Sequence, residues 1–307
     1  MTTAIAAQPT NPPIDPASGR VPAEPATPST PLPPGIPFSR LIAVELRKML
    51  DTRSGRWLLV IIGVVTLAVV TIIFFVAEPK DLTMSTFLAG TATPQALLLP
   101  LLGVLAVTSE WGQRTALVTF TLEPRRLRVL LAKLVGSLAL GLIAIAFAFL
   151  AAAIGTGLGE LLRDGAGGWA LGAGLISGVV LSQLLGVAQG IGFGLLFGNT
   201  AVAIVSYLVL PTAWAIVGSL VTRLSTVALW LDLARASEPL VAGHMTGTSW
   251  AHLAAAAGLW VALPVVVGTW RVMRREVKYR PHPVASAPTR HRYAVTADVG
   301  GSVRPRR

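Results

Sequence analysis

From Gly165 to Thr222 the chain runs 58 residues without a single Asp, Glu, Lys or Arg. As one helix, at 1.5 Å per residue, that run would be about 87 Å long, nearly three times the ~30 Å hydrocarbon core of a bilayer. It must therefore fold back on itself. Gly198-Asn199-Thr200 is the natural place, because Gly and Asn tolerate left-handed backbone. Four further charge-free runs cover 57–77, 82–109, 134–159 and 239–270, of 21, 28, 26 and 32 residues. Each reaches the ~20 apolar residues that a membrane helix needs.

Six spans follow, at approximately 57–76, 87–107, 134–154, 169–197, 201–221 and 250–270. Tryptophans at 57, 111, 169, 250 and 270 sit near their ends, as interfacial belts require. The runs are continuously apolar and do not alternate, which argues against a β-barrel. The sequence thus predicts an all-α, polytopic membrane protein with six transmembrane helices.

Such a chain is also strongly basic, with net charge +11 from 25 Lys+Arg and 14 Asp+Glu. Position explains the excess. With six spans both termini share a side, and that side carries 21 of the 25 basic residues, in the N-terminal segment, the 108–133 connection and the C-terminal segment. The positive-inside rule then predicts that both termini are cytoplasmic. A nucleic-acid footprint would need a folded basic domain with stacking aromatics or a reading motif, and none is visible, so no nucleic-acid partner is expected. The basic C-terminal tail, 271–307, reads as a topology signal in contact with lipid headgroups. Zero Cys excludes disulfides and thiolate metal sites.

Residues 1–37 hold 11 of the 22 prolines and read as a disordered, partly polyproline tail. They lack the basic start and apolar core of a signal peptide. The segment 38–56 mixes Phe38, Leu41, Ile42, Val44, Leu46 and Met49 with Arg40, Glu45, Arg47 and Lys48 at helical spacing. It predicts a basic amphipathic helix lying flat on the inner leaflet. The outer loop 222–249 has its own apolar stretch, 227–233, which predicts a small interfacial helix over an outer cavity. In the fourth span Ala170, Gly174, Gly178, Ser182, Gly186, Gly190, Gly194 and Gly198 place a small residue at every fourth position. That pattern lets helix backbones approach closely. Each four-residue step drifts by about 40°, so the row spirals and meets more than one neighbour.

Asp, Glu, Lys and Arg are missing from the predicted spans, which disfavours carriers coupled to intramembrane carboxylates. HExxH, GxSxG and GxxxxGK[ST] patterns are also missing, so no catalytic centre is visible and the chain is not expected to be an enzyme. His244 and His252 read as solvated or interfacial, with no metal site expected. Work against a gradient would need energy from another subunit.

The segment 108–134, TSEWGQRTALVTFTLEPRRLRVLLAKL, resembles the cytoplasmic loop of type-2 ATP-binding-cassette (ABC) transporter permeases. Glu110, Trp111, Gln113, Arg114 and Thr115 match its start. Pro124, Arg125 and Arg126 match its middle, and Leu131 to Lys133 its return to the membrane. Glu45-Leu46-Arg47-Lys48 followed by Thr52-Arg53-Ser54 is similar to the family's N-terminal approach to the membrane, as Trp270-Arg271 to Glu276-Val277 is to its close. The resemblance covers roughly 38–280. It implies two permease copies, identical or related, each docked on a separate ATPase subunit that carries the ATP and Mg. This chain itself would bind no cofactor. It also implies export by alternating access, with Glu110, Arg114, Thr115, Arg125 and Arg126 in a coupling segment seated on the ATPase. Glu110 and Arg114, four apart, are spaced to pair on one helix face.

Polar or kinked positions inside the spans are candidates for the translocation path: Gln95 with Thr93 and Pro94, Gln183 and Gln189, and Tyr207 and Pro211 with Ser206 and Thr212. Such groups also serve to bond helix to helix. Three functions stay open at this stage. One is a transport subunit exporting a hydrophobic or amphipathic drug, antibiotic or lipid. Another is a non-transporting anchor that tethers a cytoplasmic partner. The last is a lipid-modifying membrane enzyme, which lacks a catalytic cluster.

Overall fold

The computed structural model describes residues 36–112, 119, 123, 125–165 and 167–274. Residues 1–35 and 275–307 of the terminal tails, and Arg114 and Thr115, lie outside the described residues, while 271–274 continue the last helix. All regular structure among the described residues is helical, and six helices are long and apolar enough to cross a membrane. That is the architecture of a multi-pass membrane protein.

Helix α1, Phe38–Asp51, stops where Thr52 turns to extended backbone. The Thr52 hydroxyl accepts the Gly55 N–H at 3.3 Å and so caps α2, Arg53–Val76. The amphipathic helix thus ends at Asp51, and residues 53–56 already belong to the first span. Helix α3, Met84–Gly112, contains Pro94 and Pro100. Helix α4, Arg126–Arg163, has 38 residues and so measures about 57 Å. It begins well before residue 134, since the charge-free run marks only the part of a helix that suits hydrocarbon. Helix α5, Ala173–Phe197, begins after a glycine-rich stretch, because Gly165, Gly167, Gly168 and Gly172 lack helix propensity. The fold-back falls at Gly198, with φ +63°, and Asn199, whose side chain caps α6, Thr200–Leu220, at Val202 N–H.

The loop that follows holds two short helices, α7 at Ser225–Leu231 and α8 at Leu233–Val241, not the single one expected. Asp232 divides them: its backbone is extended and its carboxylate accepts the N–H groups of Ala234 and Arg235, at 3.0 and 3.2 Å. The last span comprises α9, Gly247–Ala257, a π-turn at Gly258–Ala262, and α10, Leu263–Arg274. Pro264 has no N–H to give the Trp260 carbonyl, which accounts for the irregular turn there.

Helix α5 lies at the centre and touches α3, α4, α6, α8 and α10. Its small residues make this possible. A Cβ at Gly190 would collide with the Pro100 carbonyl of α3, and one at Gly178 with the Leu240 carbonyl of α8. Gly174 faces Gly243, Gly186 the Pro100 ring and Gly194 the Val104 backbone. The spiral of the row divides it: its first half meets α8 and its second half α3.

The helix ends gather into two groups. At one end Arg126 donates to the Val272 carbonyl at 2.9 Å, Arg271 to the Leu196 carbonyl, and Thr200 to Thr108 at 2.8 Å. At the other, Arg163 donates to the Phe74 and Ala77 carbonyls, and Met84 N–H to the Gly168 carbonyl at 3.0 Å.

Candidate functional site: a buried ring of charges

Helix α1 turns Glu45 and Met49, one helical turn apart, onto α4. The last turns of α3 bring Glu110 to the same place, and the second turn of α4 brings Lys133. Together with Lys48 they close a ring. Lys48 Nζ lies 2.8 Å from Glu45 Oε1 and 2.7 Å from Glu110 Oε1. Lys133 Nζ lies 2.6 Å from Glu45 Oε2 and 2.9 Å from Glu110 Oε1. Thr119 adds a hydroxyl donor to Glu110 Oε1 at 3.2 Å.

The side chains of Lys133, Glu45 and Glu110 are only 3%, 6% and 8% exposed, while Lys48 is 38% exposed. Taking such ions out of water costs several kcal/mol each, which only close, multiple pairing offsets. The ring supplies that pairing: two cations and two anions, each touching both opposite charges, with no net charge. Burial works to lower the Lys48 pKa, but its bonds to Glu110 and Glu45 outweigh this and hold it above 10.5. Beside the ring a cleft of about 20 Å³, lined by Glu45, Lys48, Thr52, Ser109 and Lys133, has room for about one water molecule.

A second acid closes the other side of the 108–133 connection. Glu123 pairs with Arg128 at 3.0 Å and accepts the Arg125 N–H at 3.3 Å, just before α4 begins. Arg125 is exposed. Arg126 is tied to the Val272 and Met273 carbonyls of α10. The structure thus separates the five coupling candidates. Glu110 is held inside the ring, Arg125 faces outward, Arg126 staples α4 to α10, and Arg114 and Thr115 lie outside the described residues, as does any Glu110–Arg114 pair. On α1, Arg40 and Arg47 are exposed, whereas Glu45 and Lys48 are ring members.

No protein-family model matches the chain, and no curated protein matches it.

Three of the intramembrane polar side chains bond helix to helix. Gln95 Nε2 donates to Thr66 Oγ1 of α2 and the Ala144 carbonyl of α4, both at 3.3 Å. Gln183 Nε2 donates to the Ala92 carbonyl at 2.9 Å. Tyr207 donates to the Ala96 carbonyl at 3.0 Å, which Pro100, four residues on and without an N–H, leaves open. Gln189 is buried and Pro211 sits inside α6. Among the described residues no three His, Asp or Glu side chains gather to hold a metal ion.

Sequence reasoning missed Lys133 as a ring member, reading it only as the end of a membrane-return motif. A signal was present. Glu110 and Lys133 are the charges that bound the runs 82–109 and 134–159, so they cap neighbouring helix ends with opposite sign.

Proposed function

We propose that this chain is the membrane-spanning permease subunit of an ABC transporter, exporting a hydrophobic or amphipathic substrate such as a drug, antibiotic or lipid. It resides in the cell membrane with both termini cytoplasmic, pairs with a second permease copy, and takes its energy from a separate ATPase subunit that holds ATP and Mg.

The observation that carries this reading is the buried ring. A loop that receives force from a soluble motor must be fastened to the helices it moves, or the push dissipates in side-chain motion. The ring fastens the two ends of the 108–133 connection, at Glu110 of α3 and Lys133 of α4, to α1 through ion pairs in which Glu45, Glu110 and Lys133 are buried. Arg125 then stands exposed at the surface of that connection, suited to an acidic patch on the motor. With Gln95, Gln183 and Tyr207 engaged between helices, the substrate path in this reading lies between two copies and not within one.

Co-expression with a candidate ATPase subunit, chosen as a reading frame beside this one that carries a Walker A motif, tests the proposal. The pair should co-purify, and ATP hydrolysis by the complex should require this chain. If the two purify separately, or hydrolysis is indifferent to this chain, the protein is a membrane anchor and not a permease.

A further inference from the structure

At the end of the molecule opposite the ring, α2 and α4 flank a groove of about 320 Å³, at the small end of ligand-pocket volumes. Val70, Phe74 and Phe75 form one wall, and Ile154, Leu158 and Leu162 the other. Its polar lining side chain is Thr71, whose hydroxyl is already bonded to the Leu67 carbonyl at 2.8 Å. Whatever lies in this groove must therefore be apolar. Along α4 the lining runs from Ala151 to Leu162. Eleven steps of 1.5 Å give about 16 Å, half of a 30 Å hydrocarbon core and so the depth of one leaflet.

Just beyond the lining residues a cation adjoins the groove. Arg163 follows Leu162, and its guanidinium sits 5.9 Å from the Phe74 ring centre. Its described bonds use Nη1 alone, donated to the Phe74 and Ala77 carbonyls at the end of α2. Carbonyls orient the guanidinium without neutralising it. Of the acids nearby, Glu78 pairs with Lys80 at 2.8 Å, Glu160 accepts the Trp169 indole N–H at 3.0 Å, and Asp164, next in the chain, forms no ion pair with Arg163. An apolar trough one leaflet deep, with a cation unmatched by any described carboxylate at headgroup level, complements a single kind of membrane molecule. We propose that the groove between α2 and α4 binds one acyl chain of an anionic phospholipid, with the lipid phosphate at Arg163. This inference does not rest on the transport reading.

Phosphatidylglycerol and phosphatidylcholine carrying the same photoreactive acyl chain are the probes, applied to the full-length protein in detergent with the label mapped by peptide mass spectrometry. Label should concentrate on 67–75 and 151–162, with phosphatidylglycerol favoured about five-fold, the worth of one surface cation. Arg163→Gln should abolish that preference while leaving labelling by phosphatidylcholine, and Arg163→Lys should retain it if removal of the cap unfolds the Gln variant. Leu158→Trp should reduce labelling by both lipids, whereas Ile143→Trp, lipid-facing on α4 outside the groove, should not. Equal labelling by the two lipids, label spread over all lipid-facing helices, or protein–protein adducts showing a second copy in the groove would each overturn the proposal.

Discussion

Removing Lys133 tests whether the ring holds by charge. Lys133→Met keeps much of the side chain's apolar length but deletes a cation that contacts Glu45 at 2.6 Å and Glu110 at 2.9 Å. The site then holds two buried carboxylates and one cation, Lys48, which is itself partly solvated. Breaking a buried pair from one side costs about 3–5 kcal/mol, because the remaining charge is left uncompensated. For a chain of this size the unfolding midpoint should fall by at least about 5 °C. Lys133→Met combined with Glu45→Gln restores neutrality. Since a buried ion pair is often no more stable than its neutral replacement, the double variant should recover most of the loss. Lys48→Met should cost less than Lys133→Met, since water reaches the Lys48 ammonium. The assay is thermal unfolding followed by tryptophan fluorescence in detergent, read as a double-mutant cycle. An unchanged midpoint for Lys133→Met would refute the reasoning. So would a double variant as unstable as the single, which would trace the loss to packing of the lysine stem.

Further outcomes follow from the helix contacts. Tyr207→Phe leaves the Ala96 carbonyl with neither Pro100 N–H nor a hydroxyl donor, and should cost about 0.6–2 kcal/mol in unfolding free energy. Gly190→Val places its Cβ against the Pro100 carbonyl and should destabilise by about 1–3 kcal/mol or more, while Gly172→Ala, with nothing near its Cβ, should be close to neutral in the same melts. The Lys48 pKa lies above 10.5 in the folded state, so its contribution is complete below pH 10.5 and is lost as pH rises through the folded value. Unfolding midpoints measured across that range should decline there in the native protein, and less in Lys48→Met.

The six membrane-crossing helices were legible because hydrocarbon imposes a length and forbids charge, and both demands are written locally. The 58-residue run even shows its own turn at Gly198–Asn199. The true length of α4 was not legible, since outside the bilayer a helix is free to be polar and hydropathy falls silent. The break at Thr52 was carried by one capping hydroxyl inside an otherwise continuous amphipathic pattern. Lys48 and Glu45 read as surface residues because their i,i+3 spacing suits an exposed pair equally well. Their place in the ring depends on Glu110 and Lys133, 62 or more residues away, which no local pattern encodes. Tyr207 read as a candidate path residue, since nothing in its own helix shows that Pro100 has left a carbonyl open opposite it.

The proposed permease function requires that the 108–133 connection face the cytoplasm and receive an ATPase. The chain has no cysteine, so Arg125→Cys in the otherwise native protein gives one reactive thiol on an exposed position of that connection. In intact cells it should resist a membrane-impermeant maleimide, and in inverted vesicles containing the ATPase subunit it should crosslink to that subunit with a yield that changes when ATP is added. A thiol labelled from outside intact cells, or one that never crosslinks to the ATPase, would contradict that function.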